Sequence, residues 1–182
     1  MTNLDERPDI APPPSAFDIR TTGPDDLAAI SALHARAFGP GRFARTAYRI
    51  REAHNRLPLS PHCHIARDAE NRLAGAVTMT AITVGDAPGH WLLGPLAIRS
   101  DLAGRSLGRA LVRAALDTVT ADSSPTATVI LVGDLQYYGP LGFSPLAPKT
   151  VALPGPVDLA RLLAWLGPDG DRAPPRGLVR PD

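Results

Sequence analysis

Residues 100–110, SDLAGRSLGRA, have the make-up of an anion-holding turn. An apolar run, LGPLAI, ends at Ile98, and a helical pattern begins at about Leu107. A strand that turns into a helix leaves the first helical N–H groups without partners, at the positive end of the helix dipole. Gly104 and Gly108 let the backbone come close to a ligand, and Arg105 and Arg109 add full charges. The chemistry suits a phosphate or pyrophosphate. No Gly-Lys-Ser/Thr follows, and the three-glycine dinucleotide fingerprint is absent, so two common nucleotide motifs are excluded.

A second stretch, residues 128–143 (TVILVGDLQYYGPLGF), reads as a buried strand over Thr128 to Val132, a short polar helix or turn, and then a tyrosine pair. A tyrosine hydroxyl, with a pKa of about 10, can donate a proton to a leaving thiolate. Tyr138 is the first candidate, and the plain alternative is that it and Tyr137 only pack.

Together these stretches resemble the GNAT superfamily of acyl-CoA-dependent N-acetyltransferases, most of all a small bacterial subgroup ending in valine-glycine-aspartate, tyrosine-tyrosine-glycine and glycine-phenylalanine. The resemblance covers roughly residues 17–147. It implies a mixed α/β fold with a mostly antiparallel central sheet, flanking helices and a splay at the acyl-CoA site. It implies acetyl-CoA as cosubstrate and direct transfer of the acetyl group to an amine acceptor. In the family a Gln/Arg-x-x-Gly-x-Gly/Ala loop holds the coenzyme A pyrophosphate. Aligned on Gly108, this chain has Ala103 for the first position and Ser106 for the first glycine. The ligands in such a loop are backbone N–H groups, which Ser106 still supplies.

Carried over by position, the backbone of Leu96, Ala97 and Ile98 would pair with the pantetheine amides. The N–H groups of Ser106, Leu107, Gly108, Arg109 and Ala110 would bind the pyrophosphate. Tyr138 takes the place of the family tyrosine, and Tyr137 falls where an apolar core residue is usual. The general base stays open among Asp86, His90, Asp134 and a water relay. Asp134 is also carried as a cofactor contact, or as the cap of the helix that follows it. His90 at a strand start reads equally as a hydrogen-bonded structural histidine. The rival function is a non-catalytic acyl-CoA-binding module.

His62, Cys63 and His64 invite a metal reading, but two histidines on one strand face lack a third partner at recognisable spacing. No metal is expected, and Cys63 reads as a small buried residue. Arg42, Arg45 and Arg49 share a face of a basic helical stretch, Arg42 to Arg56, either a solvated surface or the border of an acceptor entrance.

Positioning these residues needs a strand–helix–strand unit. The spacing predicts a strand from Phe17 to Arg20 and a helix opened by Pro24, Asp25 and Asp26 with Leu27, Ile30 and Leu33 on one face. Strands follow at His62–Arg67, Leu73–Val84 and His90–Ile98, the last forced to bulge or splay at Pro95, which has no N–H to give a ladder. A helix over Leu107 to Thr120 then crosses to the Thr128 strand with the usual right-handed sense. Leu159, Leu162, Leu163 and Leu166 read as a helical stripe that supports a homodimer.

With 182 residues and 44% hydrophobic content, the chain has room for one real core. The divisions expected are a disordered tail over 1–15, an acetyltransferase domain over 16–150, a strand/helix extension over 151–167 and a flexible tail over 168–182. A net charge of +1 argues against a nucleic-acid partner, and no apolar run reaches membrane-spanning length. One cysteine and an acidic, Pro-rich start without a basic apolar segment point to a cytoplasmic protein.

Overall fold

A computed structural model describes residues 16–40, 49–50, 59–104, 106–122, 127–155, 157–168, 170 and 172–182. The first strand, β1 (Asp18–Thr21), leads through a 3-10 turn at Pro24–Asp26 into α1 (Leu27–Phe38). Proline and acid at this turn are suited to a helix start. Asp26 does more than cap: its buried carboxylate accepts from Gly23 N–H at 2.9 Å, from Arg20 at 2.9 and 3.0 Å, and from Arg67 at 2.8 Å. The expected strand beginning at His62 starts two residues later, as β2 (His64–Arg67).

The long strands β3 (Leu73–Val84) and β4 (Ala87–Ile98) form the central hairpin. β3 carries Val77 and Met79 on the face covered by α2 (Leu107–Asp122), where Leu107, Leu111, Val112, Ala115 and Val119 are buried. Each large side chain so buried contributes roughly 1.5–3 kcal/mol. On the other face, Ile30 and Leu33 of α1 pack on Ile65, Ala76 and Ala97. β5 (Val129–Val132) is buried at its first three positions, as its β-branched run predicts for a strand covered on both faces.

Beyond β5 the structure departs from the sequence reading. The chain makes α3 (Leu135–Tyr138), the short strands β6 (Ser144–Pro145) and β7 (Val151–Ala152), and then β8 (Leu162–Trp165). The leucine stripe is therefore not a helix. After a 3-10 turn at Leu159–Arg161, all four β8 residues are buried, and β8 pairs antiparallel with β5 from Val129↔Trp165 to Val132↔Leu162. A run apolar at every position suits a strand with both faces covered, and the helical spacing of its leucines was incidental. Leu162 and Leu163 are consumed within the chain, so the stripe no longer argues for a homodimer.

The segment expected to be a loose tail contains β9 (Gly177–Pro181), which pairs with both β3 and β7 and buries Val179. The sheet order is β1-β2-β3-β4-β5-β8-β6, antiparallel except where β4 meets β5. β2 covers the outer edge of β3 from Leu73 to Val77, and β9 covers it from Ile82 to Val84. Thr78, Met79, Thr80 and Ala81 are left between them without a partner strand on that side, among the described residues.

Candidate active site

β4 and β5 pair only at Trp91↔Val129 and Leu92↔Ile130. Immediately beyond, β4 gains a residue on β3: Met79 faces Leu93 but Val77 faces Leu96. The extra residue falls at Gly94-Pro95, where proline cannot donate to the ladder. The two parallel strands part at this bulge, and a cleft opens between them. Arg99 N–H donates to Ala74 C=O at 2.8 Å. Because an antiparallel ladder alternates, Leu96 and Ile98 turn their N–H and C=O towards the cleft side, while Ala97 pairs with β3.

At the end of β4 a 3-10 turn, Ser100–Leu102, leads to the loop before α2. Gly104 has φ +81° and nothing within 4 Å of the direction its side chain would take, so its backbone face is open. Arg105 lies outside the described residues. Ser106 adopts φ 53°, a left-handed conformation that favours glycine, at the position where the family loop has one. Ala110 N–H donates to Ser106 C=O at 3.1 Å, so the N–H groups of Leu107, Gly108 and Arg109 precede the first helical bond.

Gly108 differs from expectation. Its missing side chain does not face open space: that direction meets the Tyr137 hydroxyl, with the Ile98 and Leu96 side chains at 3.6 Å. The Arg109 guanidinium lies 5.3 Å from the centre of the Tyr137 ring, and its Nε is buried without a partner. Tyr138 stands edge-on to Tyr137 at 4.8 Å, packs on Phe143 at 5.7 Å, and fills the space beside Gly133 at the end of β5. Tyr137 thus sits against the start of α2 and Tyr138 against the end of β5, the two rings in contact with each other. Burial pushes both phenols above their ordinary value, Tyr138 further, with Tyr137 and Asp134 adding to its shift. Both stay protonated through the neutral range.

The candidate bases are dispersed. Asp134 stands before α3 without a side-chain capping bond, and its exposed carboxylate pairs with Arg161 at 3.1 Å. Asp86 lies in the β3–β4 turn, 3.7 Å from Arg180. Buried His90 accepts from Thr128 N–H through Nδ1 at 3.2 Å, which ties the start of β4 to that of β5. Its burial, and then Arg172, hold its pKa below the ordinary histidine value. That is a structural role. His62 and His64 are equally committed: His62 Nδ1 lies 3.1 Å from Thr118 Oγ1 and its ring stands edge-on to Trp91 at 4.4 Å, while His64 Nδ1 lies 3.0 Å from His62 C=O. No group of three His, Cys, Asp or Glu side chains able to hold a metal occurs among the described residues. Of the basic stretch, Arg42, Arg45, Arg51 and Arg56 lie outside them.

A sequence model of the Acetyltransferase (GNAT) family matches residues 27–131, from the first residue of α1 through β5 up to Leu131. The chain belongs to the GNAT family. The fold agrees. A GNAT family N-acetyltransferase, YhbS, from Escherichia coli in complex with CoA superposes with a TM-score of 0.74 at 25% identity, covering 92% of this chain and 90% of that one. A GNAT family acetyltransferase from Brucella melitensis in complex with acetyl-CoA gives 0.66 at 22% identity, covering 91% and 96%. Naa50 of Arabidopsis thaliana, solved with the bisubstrate analogue CoA-Ac-MVNAL, shares the fold at 0.57 and 14% identity over 82% of this chain and 97% of that one. Among curated proteins, none matches this chain. Among the described residues, no helix is long and apolar enough to cross a membrane.

The sequence reading placed the helix-opening turn and the bulge, and did not bring out Tyr137 beside Gly108. Its place in an apolar core position hid a ring that reaches Gly108, and only the three-dimensional closeness of α2 and α3 reveals it.

Proposed function

We propose that this GNAT-family chain is an acyl-CoA-dependent N-acetyltransferase that transfers an acetyl group from acetyl-CoA to an amine by direct attack. The observation that carries the reading is the parting of β4 and β5 beyond Leu92, together with the N–H groups at the start of α2 that precede the first helical bond among the described residues. An extended pantetheine can pair with the cleft-facing backbone of Leu96 and Ile98. A pyrophosphate can accept from the N–H groups of residues 106–109, with Gly104 leaving room and Arg109 adding charge, whereas the Ala110 N–H expected to join them is taken by Ser106 C=O. These residues fit an acyl-CoA in their donor chemistry: neutral amide partners along the arm, N–H donors and an arginine at the anionic end.

In the reaction the amine nitrogen bonds to the thioester carbon and the C–S bond breaks. The products are an amide and a thiol. Tyr138, held protonated by its burial, donates its hydroxyl proton towards the departing sulfur, and the proton that the amine loses as the amide forms passes through water to restore the phenol. One cysteine held by backbone contacts, Cys63 to Met79, suits a reducing, cytoplasmic setting. The direct test is a thermal-shift titration with acetyl-CoA followed by a turnover assay on an amine panel. Stabilisation rising as RT ln(1 + [L]/Kd) with turnover supports the reading. Stabilisation without turnover on any amine leaves an acyl-CoA-binding module, and no shift at millimolar acetyl-CoA removes both.

A further inference from the structure

Arg109 is the third residue of α2, where the helix dipole disfavours a cation unless an anion lies beside it. Among the described residues its side chain makes no ion pair, and its Nε is buried without a hydrogen-bond partner. What holds it is a ring: the guanidinium carbon stands 5.3 Å from the centre of Tyr137. A guanidinium is planar and weakly hydrated, so it stacks on an aromatic face in a way that an ammonium does not.

The Tyr137 ring is seated by contacts other than Arg109. Its hydroxyl fills the direction of the missing Gly108 side chain, where the side chains of Leu96 and Ile98 also converge at 3.6 Å. Tyr138 meets it edge-on, with ring centres 4.8 Å apart and planes at 74°. Gly108 immediately precedes Arg109, and the N–H groups of Leu107, Gly108 and Arg109 come before the first helical bond. Ring and guanidinium therefore stand at the turn that carries the available donors.

Resting on the acetyltransferase reading above, we propose that Tyr137 is a positioning residue for the anionic end of acyl-CoA and that it acts through Arg109. The ring sets the guanidinium in place before the ligand arrives, at the turn whose N–H groups would take the pyrophosphate. An anion there offsets the repulsion between the cation and the helix dipole and supplies the acceptors that the guanidinium lacks. Arginine recognises phosphate through the orientation of its fork, and a solvated, freely turning side chain would give up rotamer freedom to adopt it. An aliphatic residue in place of Tyr137 would fill the space but offer no face to stack on. The outcome is specificity: Tyr137 favours thioesters that carry the pyrophosphate over those with the pantetheine arm alone.

The test measures binding and needs no acceptor. Acetyl-CoA and S-acetylpantetheine, the neutral arm without phosphates, are titrated by calorimetry into the wild-type protein, Tyr137→Phe, Tyr137→Leu, Arg109→Ala and the Leu/Ala double variant. Tyr137→Leu and Arg109→Ala are each expected to bind acetyl-CoA about tenfold more weakly, while Tyr137→Phe, which keeps the ring, stays within about twofold of wild type. The double variant should be no more than about twofold weaker than Arg109→Ala alone, because the two residues act as one. S-acetylpantetheine should bind all of them alike. Arg109→Lys leaves Tyr137 untouched, so it answers even if Tyr137→Leu does not fold, and it should lose at least about threefold because an ammonium keeps the charge without the stack. Losses that multiply in the double variant, equal weakening of both ligands by Tyr137→Leu, or wild-type affinity in Arg109→Lys overturns the positioning role and leaves the acetyltransferase reading standing. Failure of the wild-type protein to bind acetyl-CoA overturns the reading beneath it.

Discussion

The hydroxyl of Tyr137 occupies the direction in which a side chain at Gly108 would grow. The first turn of α2 and the short helix α3 are thereby fitted to each other across the cleft, and a methyl group at one residue has to be answered at the other.

Gly108→Ala is expected to destabilise the protein by about 1–2 kcal/mol, the usual scale of overpacking, despite the better helix propensity of alanine. Tyr137→Phe, which removes only the hydroxyl, should restore most of that loss in the double variant. Urea denaturation of the two single variants and the double gives the coupling directly. Additive effects would mean that the two residues do not meet.

Ser106→Gly is expected to stabilise. Serine at φ 53° bears a left-handed penalty of about 1–2 kcal/mol, partly offset by the greater unfolded-state freedom of glycine. A net gain of about 0.5–1 kcal/mol should appear in thermal or chemical denaturation. Equal or lower stability would show that the loop has another geometry in solution.

Asp26 gives the fold an acid limb. Burial alone would raise its pKa, but the hydrogen bonds from Arg20, Arg67 and Gly23 N–H outweigh it and hold the carboxyl at about 2. A folded pKa below the unfolded value of about 3.9 stabilises above that value and is lost as pH falls. The contribution, roughly 2 kcal/mol, is complete above about pH 5 and disappears towards pH 1–2. Asp26→Asn should lower stability at neutral pH and flatten this part of the profile. A variant with the wild-type acid dependence would place the effect elsewhere.

Tyr138→Phe keeps the ring that packs on Phe143 and removes the hydroxyl proposed as the proton donor. Turnover should fall by about 10²-fold or more with KM for acetyl-CoA nearly constant, since the lost interaction belongs to the transition state. A phenol whose pKa burial has raised gives no ionisation below its ordinary range, so the wild-type kcat profile should show no fall due to Tyr138 up to about pH 10. Full activity in the phenylalanine variant would mean that the sulfur takes its proton from another source.

Local signals made half of this molecule readable. Pro95 had to disturb its strand, and the bulge stands there; the glycine-rich turn had to open a helix, and α2 begins at Leu107 as expected. The errors came where local pattern and long-range pairing disagree. Leu162 and Leu163 belong to a helical stripe on paper, but β5 needed a second neighbour and took them into β8. Residues 177–181 belong to a charged, proline-rich stretch that reads as a loose tail, yet Val179 and their backbone cover part of the outer edge of β3. Tyr137 was hidden because nothing in its own neighbourhood records that Gly108 lies across from it.

The pairing of β5 with β8 also fixes an order of events during synthesis. The strand that forms one wall of the cleft holds β4 over only two residues and depends on Leu162–Trp165, made later, for its other flank. Until that segment emerges from the ribosome, the nascent chain carries the cofactor loop and both tyrosines but lacks a finished sheet to hold them apart. Such non-local closure is slow compared with helix formation. In the proposed enzyme, acyl-CoA capture therefore arrives late, after the residues that line the cleft have already been translated.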